Sequence, residues 1–468
     1  MKKSMITLSM ALLVGFYATA QKVEFKEYDL SNGMHVILHQ DKAAPVVTTA
    51  VMYHVGAKDE QPNRTGMAHF FEHLLFEGTK NIKKGDWFKI VSSNGGKNNA
   101  NTTDDRTYYY EVFPSNNLEL GLWMESERLL HPVINQGGVD TQNEVVKEEK
   151  RMRVDNQPYG SFLENVKKHI FKKHAYKGTT IGKMKHLDDA TLAEFLAFNK
   201  KFYVPNNATL VVAGDINIKK TKKLVEAYFG NIPRGAEITR KFIKEDPITK
   251  QINAKAYDAN IQIPAIVNAY RTPSMKSREA RVLDMISTYL SDGKSSVLYK
   301  KLVDTKKMAL QVGAFSVSQE DYGTYVVYGL PLGKTSLTDL TKEIDEEIVK
   351  IQTNLISEKA YQKLQNKFEN DFVNANASVE GVANSLARFN VLYGDTNLIN
   401  TEIDIFRSIT REEIRAAAKK YLNPNQRLVL EYLPKKEINQ KTLIYYENKN
   451  SITYRNFSNV FCYHCTNR

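Results

Sequence analysis

LDDATLAEFLAFNKKFYVPNNATLVV, at residues 187–212, has a counterpart in ITREEIRAAAKKYLNPNQRLVL, at residues 409–430. Each stretch begins as a helical pattern with acidic residues, turns at a proline and ends in an apolar run typical of a strand. The turn prolines, Pro205 and Pro424, are 219 positions apart, close to half of a chain of 468 residues. A repeat of this period indicates a duplicated domain rather than a solenoid.

The duplication divides the chain into two halves, at roughly residues 21–235 and 236–436. Each half begins with β-rich runs, such as Met34–Leu38 and Val46–Val55 in the first, and continues into helical segments. The expected fold class is therefore α+β, with two tandem domains.

The last residues, 437–468, match neither half. They are polar with interspersed Tyr and Phe, and they contain the chain's two cysteines in the run Cys462-Tyr-His-Cys465. A single C-x-x-C pair without further ligands favours a disulfide or free thiols over a zinc knuckle. Two cysteines also mean that the fold does not depend on a disulfide framework.

The first 20 residues have the pattern of a secretory signal. Lys2 and Lys3 precede an apolar run from Met5 to Tyr17, and small residues follow up to Ala20. We expect cleavage after Ala20 and a periplasmic or secreted bacterial protein. A membrane anchor is the weaker alternative, because the run is too short to cross about 30 Å of hydrocarbon. No later stretch is apolar for 18 residues, so no stable membrane insertion is expected.

The composition is that of a globular protein, with 42% hydrophobic and 25% charged residues. Removal of the signal lowers the net charge from +12 to +10, since it takes away two lysines and no acid. The remaining lysines are scattered among Asp and Glu along most of the chain. This favours a mixed, solvated surface over a nucleic-acid-binding patch.

Residues 69–73 read His-Phe-Phe-Glu-His. On a helix, His69 and His73 lie one turn apart on the same face, so both imidazoles can reach one metal ion, with Glu72 beside them. Catalytic zinc requires neutral nitrogen ligands, an open position and a carboxylate that accepts a proton from water. The pattern predicts one zinc ion per chain, with Glu72 as the general base.

A third ligand is expected from the helix predicted at residues 141–154. Val145, Val146 and Met152 define its predicted apolar face, and Glu149 projects from the middle of that face. A carboxylate there requires a metal ion or a cationic partner. A buried salt bridge is the alternative to ligation by Glu149.

These residues resemble a known family. The motif GMAHFFEHLLFEGT at 66–79, with Glu149 following 76 positions after His73, is similar to the pitrilysin, insulinase and mitochondrial processing peptidase family of inverzincins. The resemblance extends over residues 25–434 and includes NNANTTDDRTYYYEVFP at 98–114, HAYKGTTIG at 174–182, FYVPNNATLVVAGDI at 202–216 and, more loosely, DGKSSVLYKKL at 292–302.

The resemblance implies a duplicated α/β roll, in which each domain is a mainly antiparallel sheet packed against helices. It implies that His69, His73 and Glu149 bind zinc, that Glu72 is the base and that the second domain is inactive. It also implies that Asn99, Ala100 and Asn101 lie on an edge strand that pairs with the backbone of a peptide substrate.

Two departures from the family pattern bear on how the zinc centre works. Gln142 stands seven residues before Glu149, where family members commonly have an acid that tunes the metal ligands. Val303 and Leu310 stand in the second half where the family's active chambers present an Arg and a Tyr. Neither can stabilise an oxyanion. A related subunit that supplies these donors, in a heterodimer, is expected, and a homodimer is the alternative.

The expected activity is zinc-dependent hydrolysis of peptide bonds in peptides or unfolded polypeptides, within a closing chamber. The alternative is a non-cleaving relative that binds peptides or assembles with a partner. A structural zinc protein fits less well, because structural sites are usually closed by four ligands. His54, in an apolar run, is expected to be a satisfied core histidine rather than a ligand.

Overall fold

The computed structural model describes residues 22–435. The predicted signal at 1–20 and the tail at 437–468, with Cys462 and Cys465, lie outside this range. The described residues form two separate β-sheets covered by helices, which confirms the predicted α+β class. No helix within the described range is long and apolar enough to cross a membrane.

The first sheet has six strands in the order β1-β2-β6-β3-β5-β4. All neighbouring pairs are antiparallel except β2 and β6, which are parallel. The central strand β3 is buried along almost its whole length, since both faces of the sheet are covered. The strands are β1 (Lys26–Asp29), β2 (His35–Gln40), β3 (Val46–Tyr53), β4 (Lys97–Thr102), β5 (Thr107–Pro114) and β6 (Ala208–Gly214).

The second sheet repeats this topology with five strands in the order β7-β11-β8-β10-β9. Its one parallel pair, β7 and β11, corresponds to β2 and β6. Both β8 and β11 begin 219 residues after their counterparts β3 and β6, the same offset as that of the turn prolines. The strands are β7 (Ile252–Asp258), β8 (Ala265–Thr272), β9 (Ala309–Ser318), β10 (Gly323–Pro331) and β11 (Arg427–Pro434).

Fourteen α-helices lie within residues 22–435. They are α1 (Met67–Leu74), α2 (Asp86–Ser93), α3 (Leu118–Leu130), α4 (Gln136–Lys150), α5 (Phe162–Ile170), α6 (Met184–Asp188), α7 (Leu192–Phe202), α8 (Ile218–Phe229), α9 (Arg278–Ser291), α10 (Leu337–Thr353), α11 (Glu358–Ala375), α12 (Val379–Arg388), α13 (Leu398–Ser408) and α14 (Arg411–Tyr421).

The duplicated stretches also share their helix starts. Thr191 caps α7 by accepting from the Glu194 amide, and the Glu194 carboxylate accepts from the Thr191 amide. Thr410 and Glu413 form the same reciprocal pair at the start of α14. Such a capping box satisfies amides that the first helical turn leaves unpaired. The acids that open both sequence stretches therefore fix where each helix begins.

The two halves exchange one helix each. Apolar residues of α5, from the first half, pack on the second sheet with Val267 and Leu430. Its counterpart α12, from the second half, packs on the first sheet with Ala50 and Val211. Each sheet therefore has one face covered by its own half and one by the other half. Each half also has an apolar cluster formed by its own buried residues. The division at residue 235 stays a prediction.

A buried ionic cluster joins the halves at the β9–β10 turn. The Lys58 ammonium lies 2.6 Å from Glu320 Oε2 and 3.1 Å from Asp105 Oδ1, and its side chain is only 8% exposed. His54 Nε2 contacts the same Glu320 oxygen at 2.8 Å. His54 is thus held by a carboxylate from the other half rather than by core packing alone.

Candidate metal centre

Helix α1 carries the histidine pair. Gly66 precedes it with φ 96°, in the left-handed region that glycine adopts without strain. A Cβ on Gly66 would lie 2.8 Å from the Ile181 carbonyl oxygen, so the helix start also needs the missing side chain. His69 and His73 follow one turn apart, and their Nε2 atoms approach to 3.3 Å.

Polar side chains hold both ends of α1. At its start, the Glu60 carboxylate accepts from the amides of Gly66 and Ala68, each at 2.8 Å. Near its end, the Tyr109 hydroxyl donates to the Phe71 carbonyl at 2.9 Å. The bonds to Glu60 satisfy amides that the start of a short helix leaves open, and the Tyr109 bond adds to the one that the Phe71 carbonyl accepts from the Leu75 amide. They fix the position of the two imidazoles relative to the first sheet.

Arg128 holds the turn after α1. Its guanidinium is fully buried and donates to the Leu75 carbonyl, to Glu125 and to Glu111, at 3.1 Å in each case. Burial raises the pKa of Glu111 well above its usual range, and the neighbouring Glu125 carboxylate adds to the effect. The protonated form of Glu111 is therefore favoured, because two carboxylates share a single cation in a buried cluster.

Glu149, near the end of α4, faces the histidine pair. Its Oε2 atom lies 3.0 Å from His73 Nε2 and 3.4 Å from His69 Nε2, and its side chain is 11% exposed. Burial raises the Glu149 pKa, but hydrogen bonds from the two imidazoles outweigh this and leave it well below the usual value. The carboxylate is therefore ionised and aimed at both nitrogens.

The three atoms fit a tetrahedral zinc ion. Bonds of about 2.0–2.1 Å at tetrahedral angles separate two ligand atoms by about 3.3 Å. The nitrogen–nitrogen distance is 3.3 Å and the two oxygen–nitrogen distances are 3.0 and 3.4 Å. Two imidazoles and one carboxylate are also a donor set of catalytic zinc, with a fourth position open. Within residues 22–435, this is the one metal-type cluster of His, Cys, Asp and Glu.

The apolar face predicted around Glu149 is wrong in part. Val146 is fully buried, but Val145 and Met152 are 43% and 55% exposed. Met152 is exposed because α4 ends at Lys150 and continues as a π-helical turn over Arg151–Asp155, which changes the residues that share a face. Val145 lies within α4, about 100° around the helix from the buried Val146. Glu149 lies beside Val146, on the side of α4 that packs against α1.

Gln142 lies on the same side of α4, two turns before Glu149. Its amide donates to Glu77 Oε1 at 2.6 Å, and the other Glu77 oxygen lies 2.5 Å from the Lys84 ammonium. Gln142 therefore contacts an acid that directly follows α1. Whether it tunes the ligands stays a prediction.

Glu72 lies beside the edge strand of the first sheet. The Thr102 hydroxyl donates to Glu72 Oε2 at 2.6 Å, and Thr102 is the last residue of β4. β4 pairs only with β5 and is the outermost strand, as predicted for the segment that contains Asn99, Ala100 and Asn101. Asn99 is exposed, and its side chain accepts from the Ala100 amide at 2.9 Å. The edge strand and the carboxylate thus meet at Thr102.

Val303 and Leu310 lie in the second half. Val303 packs partly buried against the core of that half, and Leu310 is 45% exposed near the start of β9. Neither side chain can donate a hydrogen bond.

Sequence reasoning missed three residues that support the site. Thr102 belongs to the quoted run at 98–114 but was not singled out there. Glu60 acts on α1 from outside the motif. Arg153, four residues after Glu149, lies 2.7 Å from Glu149 Oε1, and that i,i+4 spacing is a signal that the sequence contains.

The repeated sheet topology and the His–His–Glu cluster define a class of duplicated α+β chains with one candidate metal centre in the first half. A family model described as insulinase (peptidase family M16) matches residues 35–183. A second, described as the peptidase M16 inactive domain, matches residues 189–368. The chain belongs to the M16, or insulinase, family of peptidases, as its motifs predicted.

Zinc protease PqqE of Helicobacter pylori is 28% identical over 394 residues, which cover 83% of this chain and 89% of that protein. The mitochondrial-processing peptidase subunit beta of Blastocladiella emersonii is 23% identical over 427 residues, 90% of each chain.

Among solved structures, a protease from Helicobacter pylori superposes with a TM-score of 0.82 at 27% identity, covering 88% of this chain and 99% of that one. The periplasmic protease PqqL from Escherichia coli superposes at 0.72 with 18% identity, covering 88% of this chain but 48% of that one. The fold of this chain thus corresponds to about half of the PqqL structure.

Proposed function

We propose that this chain is a zinc metallopeptidase that hydrolyses peptide bonds in peptides or unfolded polypeptides. His69, His73 and Glu149 hold one zinc ion, and Glu72 is the general base. The observation that carries the proposal is the convergence of three ligand atoms, 3.0–3.4 Å apart, from two helices. Membership of a family whose relatives include zinc proteases supports it.

When bound by His69, His73 and Glu149, zinc would act as a Lewis acid that can polarise a carbonyl and lower the pKa of water toward about 7. The chain's own residues do the rest. Thr102 holds Glu72 Oε2, which leaves Oε1 to accept a proton from the attacking water. Glu72 then returns that proton to the amine of the leaving peptide.

The substrate would lie along β4. An edge strand offers unpaired backbone groups, so an extended peptide can add to the sheet next to Asn99, Ala100 and Asn101. Because β4 ends at Thr102, such a peptide passes directly beside Glu72. Backbone pairing favours extended chains over particular side chains, which supports a broad choice of peptides.

We further propose that the protein is exported and works with a related subunit. The Blastocladiella relative is named as the beta subunit of its peptidase. This chain covers about half of the PqqL structure, which is consistent with a partner of similar size. Val303 and Leu310 leave this chain without oxyanion donors where the motif would place them. A heterodimer partner with Arg and Tyr at those positions would supply them, and a homodimer is the alternative.

The test is Glu72→Gln. The amide cannot accept a proton, so we expect normal zinc content and loss of cleavage of a quenched peptide, assayed with and without a candidate partner chain. Turnover by this variant at the rate of the unmodified protein would refute the role of Glu72. If the unmodified protein binds zinc and peptide but never cleaves, the non-cleaving alternative is correct.

A further inference from the structure

The two oxygens of Glu149 have different partners. Oε2 faces the two imidazoles, whereas Oε1 lies 2.7 Å from Nη1 of Arg153. A carboxylate with both oxygens free can bind a metal ion through one or both. Here Oε1 is already engaged by the Arg153 guanidinium.

The segment that carries Arg153 is fixed by several bonds. It is the π-helical turn that follows α4, in which the Asn156 amide donates to the Arg151 carbonyl at 2.8 Å. The Lys150 ammonium lies 2.8 Å from Asp155 Oδ1, and Asn260 of the second half donates to the Asp155 carbonyl at 2.7 Å. Single π turns inside helices are frequent at functional sites. The turn ties Arg153 to both halves of the chain.

We propose that Arg153 is a positioning residue for the metal centre, which restricts Glu149 to binding zinc through Oε2 alone. The proposal rests on the function proposed above, since it needs zinc at the His–His–Glu cluster. By occupying Oε1, Arg153 stops the carboxylate from taking a second position on the ion. The open position that the reaction needs is thereby preserved.

The change in zinc affinity when Arg153 is removed distinguishes a positioning residue from an ordinary surface ion pair. Arg153 is 61% exposed at its side chain, and an exposed i,i+4 pair would change zinc affinity by about threefold at most. A residue that orients a ligand typically changes metal affinity by about 10–100-fold when it is removed.

The chain offers a matched control in Arg151. It lies on the same π turn and pairs with Glu148, the acid next to Glu149, at 3.0 Å with 45% exposure. Arg151 thus shares the residue type, the segment and the kind of partner, but its carboxylate does not face the histidines. Changes that follow only from lost charge or lost helix stability should affect both variants equally.

The experiment measures zinc dissociation constants by chelator competition for the unmodified full chain, Arg153→Ala, Arg153→Lys and Arg151→Ala, together with absorption spectra of the cobalt-loaded forms. We expect zinc affinity to change by about 10–100-fold for Arg153→Ala, to return part of the way in Arg153→Lys, and to change by less than about threefold for Arg151→Ala. The cobalt absorption of Arg153→Ala should weaken, as a second carboxylate oxygen raises the coordination number.

Equal affinities and equal cobalt spectra for Arg153→Ala and Arg151→Ala would overturn the positioning role while leaving the zinc site intact. An equal loss of affinity in both variants would also overturn it. Failure of the unmodified chain to bind zinc would instead overturn the proposed function itself.

Discussion

Thr102→Val removes one hydroxyl from the candidate active site with little change of shape. Valine is also β-branched, so β4 should keep its pairing with β5. The lost bond is a hydroxyl donating to the Glu72 carboxylate at 2.6 Å, and a hydrogen bond to a charged group contributes about 1.5–3 kcal/mol. If that energy holds Glu72 in its reactive position, kcat/KM should fall by about 10–100-fold, at 1.4 kcal/mol per decade.

The assay is cleavage of a quenched peptide, with the partner chain present if activity requires it. Thr102→Ser retains the hydroxyl and should retain most of the activity. Zinc content should be the same in the unmodified protein, Thr102→Val and Thr102→Ser, because the Thr102 hydroxyl donates to Glu72 and not to a zinc ligand. A valine variant with unchanged kcat/KM, or one whose loss is explained by lost zinc, would show that Thr102 does not position Glu72.

Two further predictions concern stability and its dependence on pH. Glu111→Gln should stabilise the protein relative to wild type increasingly as pH rises above about 4.3, the ordinary glutamate value, by at most about 1.4 kcal/mol per pH unit. Burial and the neighbouring Glu125 raise the pKa of Glu111 in the folded state, so rising pH destabilises the wild-type protein. Parallel pH–melting curves for the two proteins would contradict this prediction. Glu320→Gln should destabilise the protein at pH 7 by about 1–3 kcal/mol, since it leaves buried Lys58 with fewer partners. Burial raises the pKa of Glu320, but the contacts with His54 and Lys58 outweigh burial, so the pKa is lowered overall. The difference in free energy of unfolding between wild type and Glu320→Gln, measured by denaturant titration, should therefore shrink as pH falls below about 4.3, the ordinary glutamate value. A constant difference would refute this assignment.

The duplicated fold could be predicted because its signals are local. Pro205 and Pro424, together with the acids that begin each helix, recur at one offset, and the structure shows the same offset in the strands that follow. The family motifs also gave the order of helix and edge strand around the site. Such patterns depend on neighbouring residues in the chain, so they can be read from the sequence without knowledge of the tertiary packing.

The exchange of α5 and α12 could not be predicted in this way. An amphipathic helix has the same pattern whether its apolar face covers its own sheet or that of the other half. The same limit explains the error around Glu149, where the π turn moved Met152 onto the exposed side. Thr102 was missed for a related reason, since a threonine at the end of a strand is ordinary until its hydroxyl is seen to donate to Glu72.

The interlocked halves have a consequence for how a substrate could enter. Each half covers one face of the other's sheet, and Lys58 is buried among carboxylates from both. Moving the halves apart would expose two apolar layers and leave a buried cation without its partners, which costs far more than the few kcal/mol that binding motions usually require. A chamber that opens and closes therefore cannot hinge between the halves of one chain. If the proposed chamber opens and closes, its hinge would lie between this chain and a second one, which either the proposed heterodimer or its homodimer alternative would provide.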